Sequence, residues 1–259
     1  MEAYVDIGGH PTWVEDRGAG LETVVFLHGG LSNSDVLLNA IGPAVVRRYR
    51  VVAFDRRGHG RTADTPDPFH YDDMVTETIG VLERVVGDRA HLVGWGDGGI
   101  VALLVASRHS ELVSRLVAIG ANYHYDGLHP APPRATSSAM PELAAHYGER
   151  SPDGPDHFAE VVNKSLTMVA SEPVLSTDDL KQIDVPTLVV SADDGLVRLD
   201  HTVAMYEALP SGQLAVVPGA SHALPIEKPA ALARLILEFL AADEIAAGSR
   251  RNDRRRVVV

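Results

Sequence analysis

Apolar positions along the chain fall into short unbroken runs separated by amphipathic stretches. Thr23 to Leu27, Val51 to Phe54 and Thr187 to Val190 are such runs; Ala90 to Val93 is mostly apolar, and Val113 to Ile119 and Gln213 to Val217 read as further strands. Continuous apolar character over so few residues predicts strands covered on both faces. Tyr71 to Val86 instead places Met74, Val75, Ile79, Leu82 and Val86 at helical spacing and stops at Gly87-Asp88. His201 to Leu209, Pro229 to Ala242 and the apolar run after Gly98 predict further helices. Residues 4 to 14 alternate loosely, with Gly8, Gly9 and Pro11 as turn signals, which suits an antiparallel hairpin. Strands alternating with helices predict an α/β fold around a mostly parallel sheet.

The pattern breaks between residues 123 and 177. Prolines stand at 130, 132, 133, 141, 152, 155 and 173, and the helical period survives only in Leu143 to Tyr147 and Phe158 to Met168. Lying between two core strands, this segment reads as an inserted helical cap. The expected organisation is a core of residues 1–122 and 178–245, a cap of 123–177, and a charged tail of 246–259 that carries Arg250, Arg251 and Arg254 to Arg256. No repeat or low-complexity segment interrupts it.

Composition narrows the classes of function. At 259 residues and 45% hydrophobic content the chain is long enough for one capped α/β domain. A formal charge of −12 and a pI near 5.4 argue against nucleic-acid binding, which needs a clustered basic face. No cysteine is present, so disulfides, thiolate metal sites and a cysteine nucleophile are excluded. The N-terminus lacks the basic and apolar regions of a signal peptide, and no run is long enough to span a bilayer. These features lead to the expectation of a cytoplasmic protein that acts on a small molecule without membrane, cofactor or metal; a homodimer stays open.

The chemistry concentrates where glycines follow strands. Leu92 to Ala106 reads L-V-G-W-G-D-G-G-I-V-A-L-L-V-A, a strand, a sharp bend and a buried helix. In the elbow motif G-x-S-x-G the serine tops such a bend, and the backbone N–H after it helps bind an oxyanion. Gly94, Trp95, Gly96, Asp97 and Gly98 fill the five places, so glycine occupies the nucleophile position. His28-Gly29-Gly30 follows the first buried strand, D-R-R-G-H-G-R-T (55–62) the second, S-A-D-D-G-L-V a later one, and P-G-A-S-H-A the last. Asp55 and His59 read as organisers of their own loop.

Together these motifs resemble the α/β-hydrolase fold superfamily. Leu92 through Asn122 and the closing V-P-G-A-S-H-A-L-P-I-E-K-P are most similar to the valacyclovir-hydrolase-like (biphenyl-hydrolase-like) branch, whose elbow reads G-W-S-D-G-G. The resemblance implies an α/β-hydrolase fold with a helical cap, His222 as the catalytic histidine, and the backbone N–H groups of Gly30 and Asp97 as the oxyanion hole. It places the acid at Asp194, or at Asp193 if the loop slips by one residue. His28, Gly29, Trp95, Tyr123, His124, Tyr125 and His157 are the expected pocket residues. Without a serine, acyl-enzyme chemistry is lost, since removing that group costs about 10⁶-fold in kcat. The leading expectation is an enzyme in which a His222–Asp194 dyad and the oxyanion hole perform non-covalent general acid–base chemistry, of lyase, cyclase or isomerase type, on a small carbonyl compound such as a natural product. Two alternatives stand beside it. One is a pseudo-hydrolase that binds a ligand without turnover. The other is an ester or lactone hydrolase, either weak and using water activated by His222, or disabled by an engineered glycine.

Overall fold

The computed structural model describes residues 1–130 and 134–242, with side chains in the second stretch described from Met140 onward. In chain order the elements are β1 (Glu2–Ile7), β2 (His10–Arg17), β3 (Thr23–Leu27), α1 (Asp35–Ala40), α2 (Gly42–Val45), β4 (Arg50–Phe54), α3 (Tyr71–Val81), β5 (Ala90–Trp95), α4 (Asp97–Arg108) and β6 (Val113–Ile119). The inserted α5 (Arg134–Arg150), α6 (Phe158–Val169) and α7 (Thr177–Leu180) follow, then β7 (Thr187–Asp194), α8 (Leu199–Ala208), β8 (Gly212–Ser221), α9 (Leu224–Glu227) and α10 (Pro229–Leu240). The predicted tail, 246–259, lies outside the described residues.

The eight strands form one sheet in the order β1-β2-β4-β3-β5-β6-β7-β8. The N-terminal hairpin is antiparallel and joins β4 antiparallel; every later pairing is parallel. Alternate side chains explain why the apolar runs are unbroken. Val25 and Leu27 of β3 join one core with α3 and α4, whereas Val24 and Phe26 join the opposite core with α1 and α10. Leu92 and Val93 of β5 divide in the same way. Chain order reverses between β3 and β5, which are paired although β4 intervenes in sequence. Such a switch point opens a crevice beyond the strand ends, where ligands of open α/β sheets bind.

Polar contacts tie the insertion to the loop between β4 and α3. Arg150 of α5 donates from Nε to Asp35 Oδ2 at 2.8 Å, and Arg61 joins Asp35 to buried Asp55. Lys164 of α6, itself almost fully buried, reaches Asp64 Oδ2 at 2.7 Å, where His157 also contacts the carboxylate at 2.8 Å. Glu172 accepts the Tyr71 backbone N–H at 3.0 Å and contacts His70 Nδ1 at 2.6 Å.

Two expectations about the strands change. The runs Thr187 to Val190 and Gln213 to Val217 lengthen to Asp194 and Ser221, because β7 and β8 stay paired past their apolar parts. The short helices α1, α2, α7 and α9 carry too little period to stand out in the sequence.

Candidate active site

The elbow forms as the glycines imply. Gly96 caps α4 at φ 53° and ψ −120°, and its N–H donates to the Ile119 carbonyl at 2.9 Å. This left-handed backbone is free for glycine and strained for any residue with a Cβ. A Cβ built on Gly96 would lie 3.2 Å from His222 Nε2 and 3.5 Å from Cε1. The imidazole therefore presents Nε2 to the place where a nucleophile's side chain would begin.

His222 directly follows Ser221, the end of β8. Trp95, the last residue of β5, fixes it from below: its Nε1 donates to the His222 carbonyl at 2.8 Å, and the two rings are 5.6 Å apart. His222 Nδ1 is sealed from the surface and has no hydrogen-bond partner among the described residues. Burial alone pushes the ring's pKa down to about 4.

The expected dyad does not form. Asp194 is exposed at the end of β7, where its backbone pairs with Ser221, and its carboxylate does not bond His222 Nδ1. Asp193 does not replace it, because it is exposed and accepts the N–H groups of Gly219 and Ala220 at 3.0 and 3.2 Å. The register shifts between Ala192 and Asp194, and this bulge carries both carboxylates to the outside. Beside the His222 ring lies a cavity of about 10 Å³, lined in part by Gly120, Ser191, Ala192 and Ser221.

Asp97 opens α4 immediately after Gly96. Its Oδ1 accepts the Tyr71 hydroxyl at 2.9 Å, and its Oδ2 would stand 2.5 Å from a Cβ on Gly30. Only glycine at position 30 admits so close a carboxylate. The two expected amide donors, Gly30 and Asp97, thus sit in one corner together with the Asp97 side chain. Burial raises the Asp97 carboxyl, while Arg56 and the Tyr71 hydroxyl pull it back down. Arg56 is fully buried behind this corner and donates to the His28 and Gly29 carbonyls at 2.6 and 3.2 Å, bracing the Gly29-Gly30 turn. The sequence reading missed Tyr71 and Arg56. Arg56 carried a signal, a charged residue two positions past a buried strand; Tyr71 had none.

The expected pocket residues separate. His28 is completely buried, with Nε2 accepting the Arg56 N–H at 3.1 Å and Nδ1 held 2.7 Å from the Gly29 carbonyl, so it supports the turn and does not line a pocket. Gly29 and Trp95 pack together beneath Gly96. Tyr123 stacks on His201 at 3.9 Å, and His124 stacks on exposed Tyr125 while contacting Asp126. His157 is spent on Asp64. Asp55 accepts Ser34 and Arg61 donors and His59 bonds the Arg57 carbonyl, the loop-organising roles read from the sequence. No cluster of His, Asp or Glu suited to a metal ion occurs among the described residues, and no described helix is long and apolar enough to cross a membrane.

Comparison with known proteins gives consistent results. The chain is 28% identical over 265 residues to 2-hydroxy-6-oxo-2,4-heptadienoate hydrolase of Pseudomonas putida, covering 92% of this chain and 95% of that one. It is 24% identical over 260 residues to the human serine hydrolase BPHL, covering 92% and 86%. A crystal structure of a serine hydrolase involved in carbazole degradation superposes with a TM-score of 0.76 at 23% identity, over 93% of this chain and 98% of that one. The family model described as "Alpha/beta hydrolase family" matches residues 24–235, most of the chain. With its parallel sheet, its elbow between β5 and α4, and a histidine after the last strand, the chain belongs to the alpha/beta hydrolase family.

Proposed function

We propose that this protein transforms a small carbonyl compound by general acid–base chemistry without an acyl-enzyme, as an isomerase, lyase or cyclase does. One observation carries the reading: His222 Nε2 faces Gly96 across the space a serine side chain would fill. A neutral imidazole there meets the substrate directly, and the Gly30 and Asp97 N–H groups are available to a developing oxyanion. The absence of an acid on Nδ1 matters for the class of reaction. An imidazole whose charged form is not stabilised is a poor base for acyl transfer, and it stays neutral and able to share a proton with a substrate oxygen.

The test is α-proton exchange of phenylacetone in D2O, followed by NMR, beside p-nitrophenyl acetate hydrolysis and fluorophosphonate labelling. The parent protein should exchange the ketone and resist the label. His222→Ala should lower exchange about 10²-fold or more. Exchange by the parent no faster than buffer overturns the proposal.

The relatives favour a second reading, since those compared are hydrolases. A water in the Gly96 space, held by His222 Nε2, would attack an activated ester directly. In that case the parent turns over p-nitrophenyl acetate without labelling and shows no ketone exchange, and Gly96→Ser raises ester turnover sharply.

A further inference from the structure

The oxyanion corner contains a carboxylate. Asp97 Oδ2 lies against the Gly30 Cα, within the same turn as the two amides expected to hold an oxyanion. If His222 removed the substrate proton, the new oxyanion would form beside an existing negative charge, and like charges so placed oppose each other. The difficulty disappears when the carboxylate itself accepts the proton. Its negative charge is then lost as the oxygen's develops, and the pair of amides and buried Arg56 face one anion throughout.

We infer that Asp97 is the base of this site and that His222, as neutral imidazole, is the donor to the substrate oxygen. This assignment rests on the proton-transfer reading above and divides its roles. Geometry supplies the arrangement: Asp97 follows Gly96 at the start of α4 and is half-buried, its carboxylate held through Oδ1 by Tyr71 with Oδ2 beside Gly30, while His222 Nε2 faces Gly96. The electrostatics agree. Burial keeps His222 neutral well below physiological pH, whereas burial moves Asp97 upward, toward the range where a base works. Two groups whose surroundings push them apart in this way take opposite roles. With Nδ1 unpartnered, the ring is free to carry its proton on Nε2.

The step balances without a co-reactant. The C–H bond next to the carbonyl breaks, its proton goes to Asp97 Oδ2, and its electron pair forms the C=C bond. The carbonyl π pair moves to oxygen, which His222 Nε2–H and the Gly30 and Asp97 N–H groups receive. Return of the proton from Asp97 to another carbon of the enolate completes an isomerisation, and return to the same carbon in D2O gives exchange. The substrate class is a ketone or ketoacid with an acidic C–H.

The experiment compares Asp97→Asn, Tyr71→Phe and His222→Ala in two assays: phenylacetone exchange, and binding of 4-nitrophenol followed by its phenolate absorbance. Asp97→Asn mimics the protonated acid and keeps the backbone N–H. It should lose about 10²-fold or more of exchange, as removal of a general base does, yet bind the phenolate roughly tenfold more tightly because the repelling charge is gone. Tightened binding also shows that the variant is folded. His222→Ala should weaken both exchange and phenolate binding, and Tyr71→Phe should move the acid limb of the exchange profile. If Asp97→Asn retains or gains exchange, His222 is the base and this inference fails while the proposed function stands. If the parent exchanges nothing, both fail.

Discussion

Gly96 holds a backbone conformation that a residue with a Cβ adopts only under strain. Its φ of 53° and ψ of −120° hold a side-chain-bearing residue under strain, and the position is relaxed here because no Cβ is present. Gly96→Ala should therefore destabilise the protein by about 1–3 kcal/mol, read as a lower urea midpoint at unchanged slope. The elbow and the histidine were legible residue by residue, since each is written in a local motif. The acid was not. Asp194 occupies the motif position, but whether its carboxylate reaches His222 depends on how β7 and β8 register, which sequence spacing does not encode. Tyr71 and Arg56 were invisible for a related reason: Tyr71 meets Asp97 from 26 positions away, through packing alone.

At the scale of elements, the paired ends of β7 and β8 decide what the site lacks. Because Asp194 is exposed and does not touch His222, Asp194→Ala should alter phenylacetone exchange by no more than about twofold, the ordinary effect of a surface change. A fall of the size seen on losing a triad acid would show that the loop swings inward. The joint between cap and core makes the opposite prediction. Lys164 and Asp64 are both nearly inaccessible and hydrogen-bonded. Asp64→Ala strands the ammonium and should cost about 3–5 kcal/mol, with early proteolysis in α6. Lys164→Met with Asp64→Ala should recover much of that loss. Periodicity located α6 almost to the residue, from Phe158, but gave no hint of this pair, whose partners are 100 positions apart.

Across the whole molecule, several histidines are held neutral. Burial lowers His59, His201 and His222 to about 4, and His28 lies well below its ordinary value. The unfolded chain binds protons at these rings near pH 6.5 and the folded chain does not, so stability is present at neutral pH and lost as pH falls from about 6.5 toward 4. His59 and His222, lowered to about 4, each contribute on the order of 3 kcal/mol to that loss at its full extent, and His28 adds to it in the same direction. Urea midpoints at pH 7 and pH 5 should differ steeply, and a flat profile would contradict the burial of these side chains. One segment also sets how separable the parts are. The loop between β4 and α3 supplies Asp64 to the insertion directly and Arg61 through Asp35 of α1, and it supplies Arg56 and, at its end, Tyr71 to the oxyanion corner. Cap and chemistry are therefore not independent modules. A chimera that exchanges the cap of this protein must import residues 55–72 with it, and in doing so it rewrites the support of Asp97.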